Sequence, residues 1–444
     1  MKKKVLTDLA DFIQIQSVST DPHRFDQMLE AVAFLKTKLQ EMGFEVSEII
    51  SENKAPPLLI ATKMVSSQAK TIGIYGHYDV QPEDPLDEWQ TSPFELVVKK
   101  AKFFGRGVAD NKGHIIQNLA AIAKLINEGS LENNLVFIFE GEEELGSIHF
   151  EEYVKKAKKI LSTVDVFYLT DMGMHDKDTP QIFYGLRGLI YFELEIKTSR
   201  HDLHSGIYGN RVYNPIQVLS DLFVKMKDLK TGKILIPKFY DRVRQPNEKE
   251  LKLLSRAAVS DENLQKEAGV DKVLTIDGLP SYLVTKILPS FDVHGVISGY
   301  TGFGSKTIIP SVSRAKFSFR LVEHQKSNEI GILVKKFIAD NLPSGIKHKL
   351  KTLSQSDPFY MAIENPFIQK TGRIMTEYFG QQTLFNRSGG SVAAAEILAR
   401  LYQKPIIPVG FTLPDSNIHS PNENYDEEMF WKGLEVLERI YRQI

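Results

Sequence analysis

The chain has 444 residues, 42% of them hydrophobic and 25% charged, with a formal net charge of -1. That balance suits an ordinary soluble globular protein with a large core and excludes wholesale disorder, while near-neutrality leaves no electrostatic footprint for nucleic acid or an anionic membrane surface. Cysteine is absent, which removes disulfides and thiolate chemistry and restricts any bound zinc to nitrogen and oxygen ligands.

At roughly 100 to 200 residues per domain, a chain of this length is expected to fold as two units. Its start, Met1 to Ile13, carries basic residues but also Asp8 and Asp11, which interrupt the apolar region that a signal peptide needs. It reads as an amphipathic helix. No run reaches the ~18 to 20 apolar residues of a membrane span, and a cytoplasmic location is expected.

Short apolar runs that end in polar residues then recur: Ile72-Gly73-Ile74-Tyr75 before His77, Leu135 to Phe139 before Glu140, and Val164 to Leu169 before Asp171. They have the texture of buried parallel strands. Between the first two, Ile115, Ile116, Leu119, Ile122, Ala123 and Ile126 keep a helical repeat that Gly129 stops. Strands alternating with helices predict an α/β unit with a mixed, largely parallel sheet.

The middle reads differently. Ile190, Phe192, Leu194 and Ile196 alternate with Tyr191, Glu193, Glu195 and Lys197, and Ala315, Phe317, Phe319 and Leu321 alternate likewise. Such patterns signal half-buried antiparallel strands. One helix is predicted after Asn214, with Ile216, Leu219, Leu222 and Phe223 inward, and another carries Ile330, Leu333, Val334, Phe337 and Ile338. Residues 187–355 are therefore expected to form a smaller α+β unit inserted between 1–186 and 356–444, with the charged span Arg242 to Asp271 as a helical surface elaboration. A last strand, Pro405 to Val409, precedes His419, and Met429, Phe430, Leu434, Leu437, Ile440 and Tyr441 define a closing helix.

Open α/β sheets carry their sites beyond the carboxyl ends of the strands, and His77, Glu143, Glu144, Asp171 and His419 all fall there. A lone histidine in a loop is usually structural, but Asp79 lies two residues from His77 and can fix its tautomer. Asp110, in Gly105-Arg106-Gly107-Val108-Ala109-Asp110-Asn111-Lys112-Gly113, could cap the next helix or bind metal. The run Glu142-Glu143-Glu144 follows a buried strand, where crowded like charges repel and a dication would relieve them. One glutamate would bind the metal and a neighbour would take a proton from water.

The chain resembles the M20 family of metallopeptidases, specifically the cytosolic nonspecific dipeptidases and carnosinases, over essentially its full length. The resemblance rests on segments 76–82, 105–113 and 140–147, on Asp202-Leu203-His204-Ser205-Gly206-Ile207-Tyr208-Gly209, on 304–310 and on Phe319-Arg320-Leu321-Val322. It implies one metal held by His77 and Asp171, another by Glu144 and His419, and Asp110 bridging the two. It further implies Glu143 as the base that activates the bridging water, Asp79 as the partner of His77, and a cis peptide bond after Asp110. His204 would reach the partner subunit's site of a homodimer formed through the inserted lid and dimerisation domain, and would stabilise the oxyanion there. Arg320 would clamp the substrate carboxylate, with Ser391 and Thr307 as further contacts. His114, His149, His175 and His201 match no role and are expected to be structural. The implied activity is two-metal hydrolysis of dipeptides or short peptides, with Zn2+, Mn2+ or Co2+ left open by an N/O ligand set. The rivals are an N-acyl amino acid deacylase of the same fold and a noncatalytic binding protein. An aspartate at 171 resembles the aminopeptidase and dipeptidase members more than the carboxypeptidases and deacylases.

Overall fold

The structure is a computed structural model that describes residues 1–51, 53, 55–276 and 278–444. The chain divides into two compact units, one of residues 1–184, 361–386 and 392–444, the other of residues 185–360 and 387–391.

The first unit is built on a six-stranded sheet in the order Glu45–Ile49, Leu58–Lys63, Asn134–Glu140, Thr71–His77, Val166–Thr170, Ile406–Val409. The last four strands run parallel, and the first two join them antiparallel. The sheet is thus mixed and largely parallel. Thr71–His77 and Asn134–Glu140 are buried at every position, which is why both read as near-continuous apolar runs. Helix Lys112–Asn127 packs on strand Thr71–His77 and on the closing helix Glu427–Gln443, while Phe25–Glu41 covers the antiparallel edge. The opening helix, Lys2–Gln14, buries Val5, Leu9, Phe12 and Ile13 on one stripe.

The second unit holds a four-stranded antiparallel sheet in the order Ser290–Ser298, Val312–Leu321, Gly188–Lys197, Lys347–Ser356. Gly188–Lys197 buries alternate residues. Ile190, Phe192, Leu194, Ile196, Phe317 and Phe319 form a core that Pro215–Met226 and Ser327–Asn341 close. Asn214 caps the first of these helices, its Oδ1 accepting from Ile216 N at 3.0 Å. This unit extends beyond the expected 187–355, because Phe359–Tyr360 pairs with Gly185 and Leu186 and because Arg187 N donates to Gly390 O at 2.9 Å. The charged span is two helices, Glu248–Arg256 and Asp261–Ala268, each with its own side-chain cap, from Asn247 and Ser260. Among the described residues no helix is long and apolar enough to cross a membrane.

Candidate metal centre

The parallel strands deliver their polar ends to one place. His77 is the last residue of its strand and fully buried. Gly76 before it has no side chain for a physical reason: a Cβ there would stand 2.9 Å from Asn111 Oδ1 and 2.9 Å from Ile115 Cγ1. The close approach brings the loop of Asp110 against the strand. His77 Nε2 lies 2.9 Å from Asp110 Oδ1 and 3.5 Å from Asp171 Oδ1. His419 Nε2 lies 3.0 Å from Asp110 Oδ2 and 3.3 Å from Glu144 Oε2. Each oxygen of Asp110 therefore faces a different histidine, and each histidine has a second carboxylate beside it. Ligand atoms of His77, Asp110 and Glu144 all fall within 4.8 Å of one another.

Neighbouring groups hold this arrangement. Asn111, joined to Asp110 by a cis peptide bond, donates from Nδ2 to Thr170 O at 2.7 Å and to Asp171 Oδ1 at 2.9 Å. His77 Nδ1 is 3.0 Å from Asp79 O and 3.4 Å from Asp79 Oδ1. The Asp79 carboxylate also accepts from Glu143 N at 3.2 Å, Glu144 N at 3.0 Å and Ser19 Oγ at 2.7 Å. It thus ties the His77 loop to the turn that carries both glutamates. Glu142 is engaged elsewhere, accepting from His149 N at 3.1 Å and lying 2.9 Å from His149 Nδ1, so the acidic run resolves into one residue paired with His149 and two turned to the site. His114 accepts from Phe411 N at 3.1 Å, and burial lowers its pKa to about 4, which keeps it neutral.

Glu423 carried no signal in the sequence, yet it organises the loop of Asp110. Its Oε1 accepts from Ala109 N at 2.9 Å and Asp110 N at 3.1 Å; its Oε2 accepts from Arg106 Nη1 at 2.7 Å and Gly107 N at 3.1 Å. Arg106 Nη2 donates onward to Pro82 O at 2.9 Å. Glu423 stands four residues after His419, and Arg106 four before Asp110.

The electrostatics are those of carboxylates crowded away from water. Burial pushes Glu143 well above the usual carboxylate range, with Asp171, Glu144 and Asp110 adding to it and His77 opposing. Burial and Asp110 raise Glu144 to about 7. Burial also raises Asp171, against the pull of His77. For Asp110, burial is outweighed by His419 and His77, which hold it far below the ordinary range. His419, hydrogen-bonded to Asp110 and Glu144, rises to about 11. On His77, burial is outweighed by Asp171, Asp110 and Asp79, and its pKa rises well above the ordinary histidine value. These are the perturbations that a nearby dication neutralises. Glu144 Oε1 is buried with no hydrogen-bond partner, and the donors are imidazole and carboxylate only. The residues fit two divalent cations.

The remaining candidates lie in the second unit. Arg320 Nη1 donates to Ser391 Oγ at 2.7 Å. His204 is exposed, and its Nδ1 accepts from Gly206 N at 3.0 Å. Thr307, also exposed, is close to it along the pairing of Leu203–His204 with Ile308–Ile309, and Thr307 O accepts from Ser205 N at 3.1 Å.

Residues 73–443 match Peptidase family M20/M25/M40. Human Beta-Ala-His dipeptidase is 28% identical over 98% of this chain and 89% of its own. The solved structure of the di-peptidase Dug1p from Saccharomyces cerevisiae superposes with a TM-score of 0.88 at 28% identity, covering 99% of this chain and 95% of that one. That of the M20 family metallo-carboxypeptidase Sso-CP2 from Sulfolobus solfataricus gives 0.90 at 29% identity, covering 99% and 98%. With the family matched over most of its length, and with relatives that span nearly all of it, the chain belongs to peptidase family M20/M25/M40.

Proposed function

We propose that the protein hydrolyses the peptide bond of unblocked dipeptides or short peptides with two divalent cations. The observation that carries this reading is Asp110, whose two oxygens face His77 and His419 at 2.9 and 3.0 Å, so that it could be shared between two cations. His77 and Asp171 would hold one cation, Glu144 and His419 the other; Zn2+ and Mn2+ suit the donors, as does Co2+. When bound, the two ions polarise the scissile carbonyl and bring the pKa of water toward ~7.

The chain's own residues do the rest. Glu143, on the turn fixed by Asp79, takes the proton from the attacking water and returns it to the leaving amine. His204 of the partner subunit steadies the oxyanion, Arg320 and Ser391 receive the substrate carboxylate, and Thr307 lies beside His204 as a further contact. A homodimer through the inserted unit is supported by edge strand Ser290–Ser298, which leaves Val293, Val296 and Ile297 exposed, and by the exposed Phe303. The location that goes with this reading is cytoplasmic.

The dipeptidase activities named for Dug1p and Beta-Ala-His dipeptidase favour this reading over a deacylase, and the carboxypeptidase named Sso-CP2 defines the other comparison to make. The test is to incubate metal-replete protein with unblocked dipeptides, tripeptides and N-acetyl amino acids, with and without chelator. Chelator-sensitive cleavage of dipeptides is expected. Cleavage of acylated substrates alone would make it a deacylase, and successive trimming of longer peptides from the carboxyl end a carboxypeptidase.

A further inference from the structure

The second unit contains two kinds of buried arginine. Arg387 is neutralised, its guanidinium paired with Glu250 and, at 3.0 Å, with Glu323, while Arg244 completes the quartet from Glu250 at 2.8 Å. Arg187 is as deeply buried, at 7% exposure, but among the described residues no carboxylate lies within ion-pair distance of it. Its Nη2 donates to Leu288 O at 3.0 Å, and its buried Nε has no hydrogen-bond partner.

Arg187 is one of three cations at the same end of the sheet. Strand register sets Arg320 opposite Leu189 on one side and Ser290 on the other, so Arg187, two residues before Leu189, and Leu288, two before Ser290, flank it. Lys286 lies in the last turn of helix Ser281–Ile287, two residues before Leu288. The loop Ser388-Gly389-Gly390-Ser391 closes the group. Gly390 O accepts from Arg187 N at 2.9 Å, Ser391 Oγ accepts from Arg320 at 2.7 Å, and a Cβ on Gly389 would meet Thr285, the neighbour of Lys286, at 3.7 Å. Neither Lys286 nor Arg320 has an ion-pair partner among the described residues. Asp292, exposed on the adjacent strand, is the opposing charge that Arg187 and Arg320 feel.

Burial lowers all three cations, Arg187 to about 10 with Arg320 pressing on it and Lys286 to about 8 with Arg187 pressing on it. Like charges held together away from water favour a ligand that brings more than one negative charge. One carboxylate on Arg320 and Ser391 leaves Arg187 and Lys286 uncompensated.

We propose that Arg187, Lys286, Arg320 and the 388–391 loop form a dicarboxylate subsite, which selects peptides whose carboxyl-terminal residue is glutamate or aspartate. The terminal carboxylate sits on Arg320 and Ser391, and the side-chain carboxylate on Lys286 and Arg187. This rests on the peptidase reading above, so its test has one arm that needs turnover and one that does not.

In the first arm, kcat/KM is measured on full-length metal-loaded protein for Ala-Glu and its neutral isostere Ala-Gln. A charge-assisted contact predicts a ratio of about tenfold or more in favour of Ala-Glu. Lys286→Gln, at a half-buried position, should bring the ratio toward one; because it is taken within each protein, a partial folding defect cancels. In the second arm, calorimetry with glutarate and butyrate reads the subsite without catalysis. Glutarate should bind about tenfold or more tighter than butyrate, and Lys286→Gln should remove the difference. A wild-type ratio near one, or a preference that Lys286→Gln leaves in place, overturns the proposal. If neither peptide is hydrolysed, the peptidase reading has failed, and the glutarate comparison alone decides the subsite.

Discussion

Replacing Glu423 by glutamine tests whether the loop of Asp110 is held from beneath by a buried carboxylate. The glutamate is 1% exposed, and four donors converge on it, two to each oxygen: Ala109 N and Asp110 N on one, Arg106 Nη1 and Gly107 N on the other. An amide has the same shape but one acceptor, so either orientation sets an NH2 against two donors. Two hydrogen bonds to a charged group, at about 1.5 to 3 kcal/mol each, are lost. The total is about 3 to 6 kcal/mol, and the lower end is expected because Arg106 keeps Pro82 O at 2.9 Å and stays over the Trp89 ring at 5.3 Å. At about 2 to 4 °C per kcal/mol for a unit of this size, the loss corresponds to a drop in Tm of about 6 to 12 °C. The loosened loop should also weaken metal binding about tenfold or more, as loss of a group supporting a ligand does. Denaturant unfolding of metal-free protein reads the first effect, and competition with a chelator the second. A variant that unfolds within ~1 kcal/mol of wild type and holds metal equally well would refute the reasoning.

Two further outcomes follow from the same contacts. Asp79→Asn turns an amide toward at least one of the Glu143 and Glu144 N–H groups that the carboxylate now accepts; activity should fall about 10- to 100-fold, measured as kcat on a dipeptide, and an unchanged kcat would dismiss the turn as a support. Glu140 is fully buried beneath the site, accepting from Tyr75 Oη at 2.6 Å and Ser147 Oγ at 2.9 Å, and burial raises its pKa from 4.5 to about 8. A carboxyl raised in the fold favours the folded state fully below the unfolded pKa and loses that contribution as pH rises to the folded one. In metal-free protein, Glu140→Gln should therefore flatten the fall in stability between about pH 4.5 and 8, by up to about 5 kcal/mol. Urea unfolding at pH 5 and pH 8 measures it, and an equal slope in both proteins would remove Glu140 as the cause.

The parts of the fold that could be read in advance were those whose burial leaves a pattern. Thr71–His77 and Asn134–Glu140 are covered on both faces and read as apolar runs; Gly188–Lys197 is covered on one and alternates. Strand Glu45–Ile49 left no such mark, since its residues are exposed or only half buried at the sheet edge. The charged span between 242 and 271 read as one helical elaboration and is two helices, each started by its own side-chain cap. At the site, His77, Asp171, Glu143 and Glu144 were legible because strand ends converge in an α/β sheet. Glu423 and Arg106 were not, because a lone charge in a loop acquires meaning only when folding brings its partner from 317 residues away. That Glu142 pairs with His149 and leaves the site to its two neighbours was likewise invisible in a run of three like charges.

The most direct test of the two-cation hydrolase is Glu143→Gln, assayed at once for dipeptide turnover and for metal content. Wild type should carry about two divalent ions per chain and hydrolyse the peptide. The variant should keep both ions and lose turnover by about 10²- to 10⁴-fold, the contribution of a general base. Retained turnover, or a loss of metal equal to the loss of activity, would contradict the role given to Glu143 and with it the account of the site.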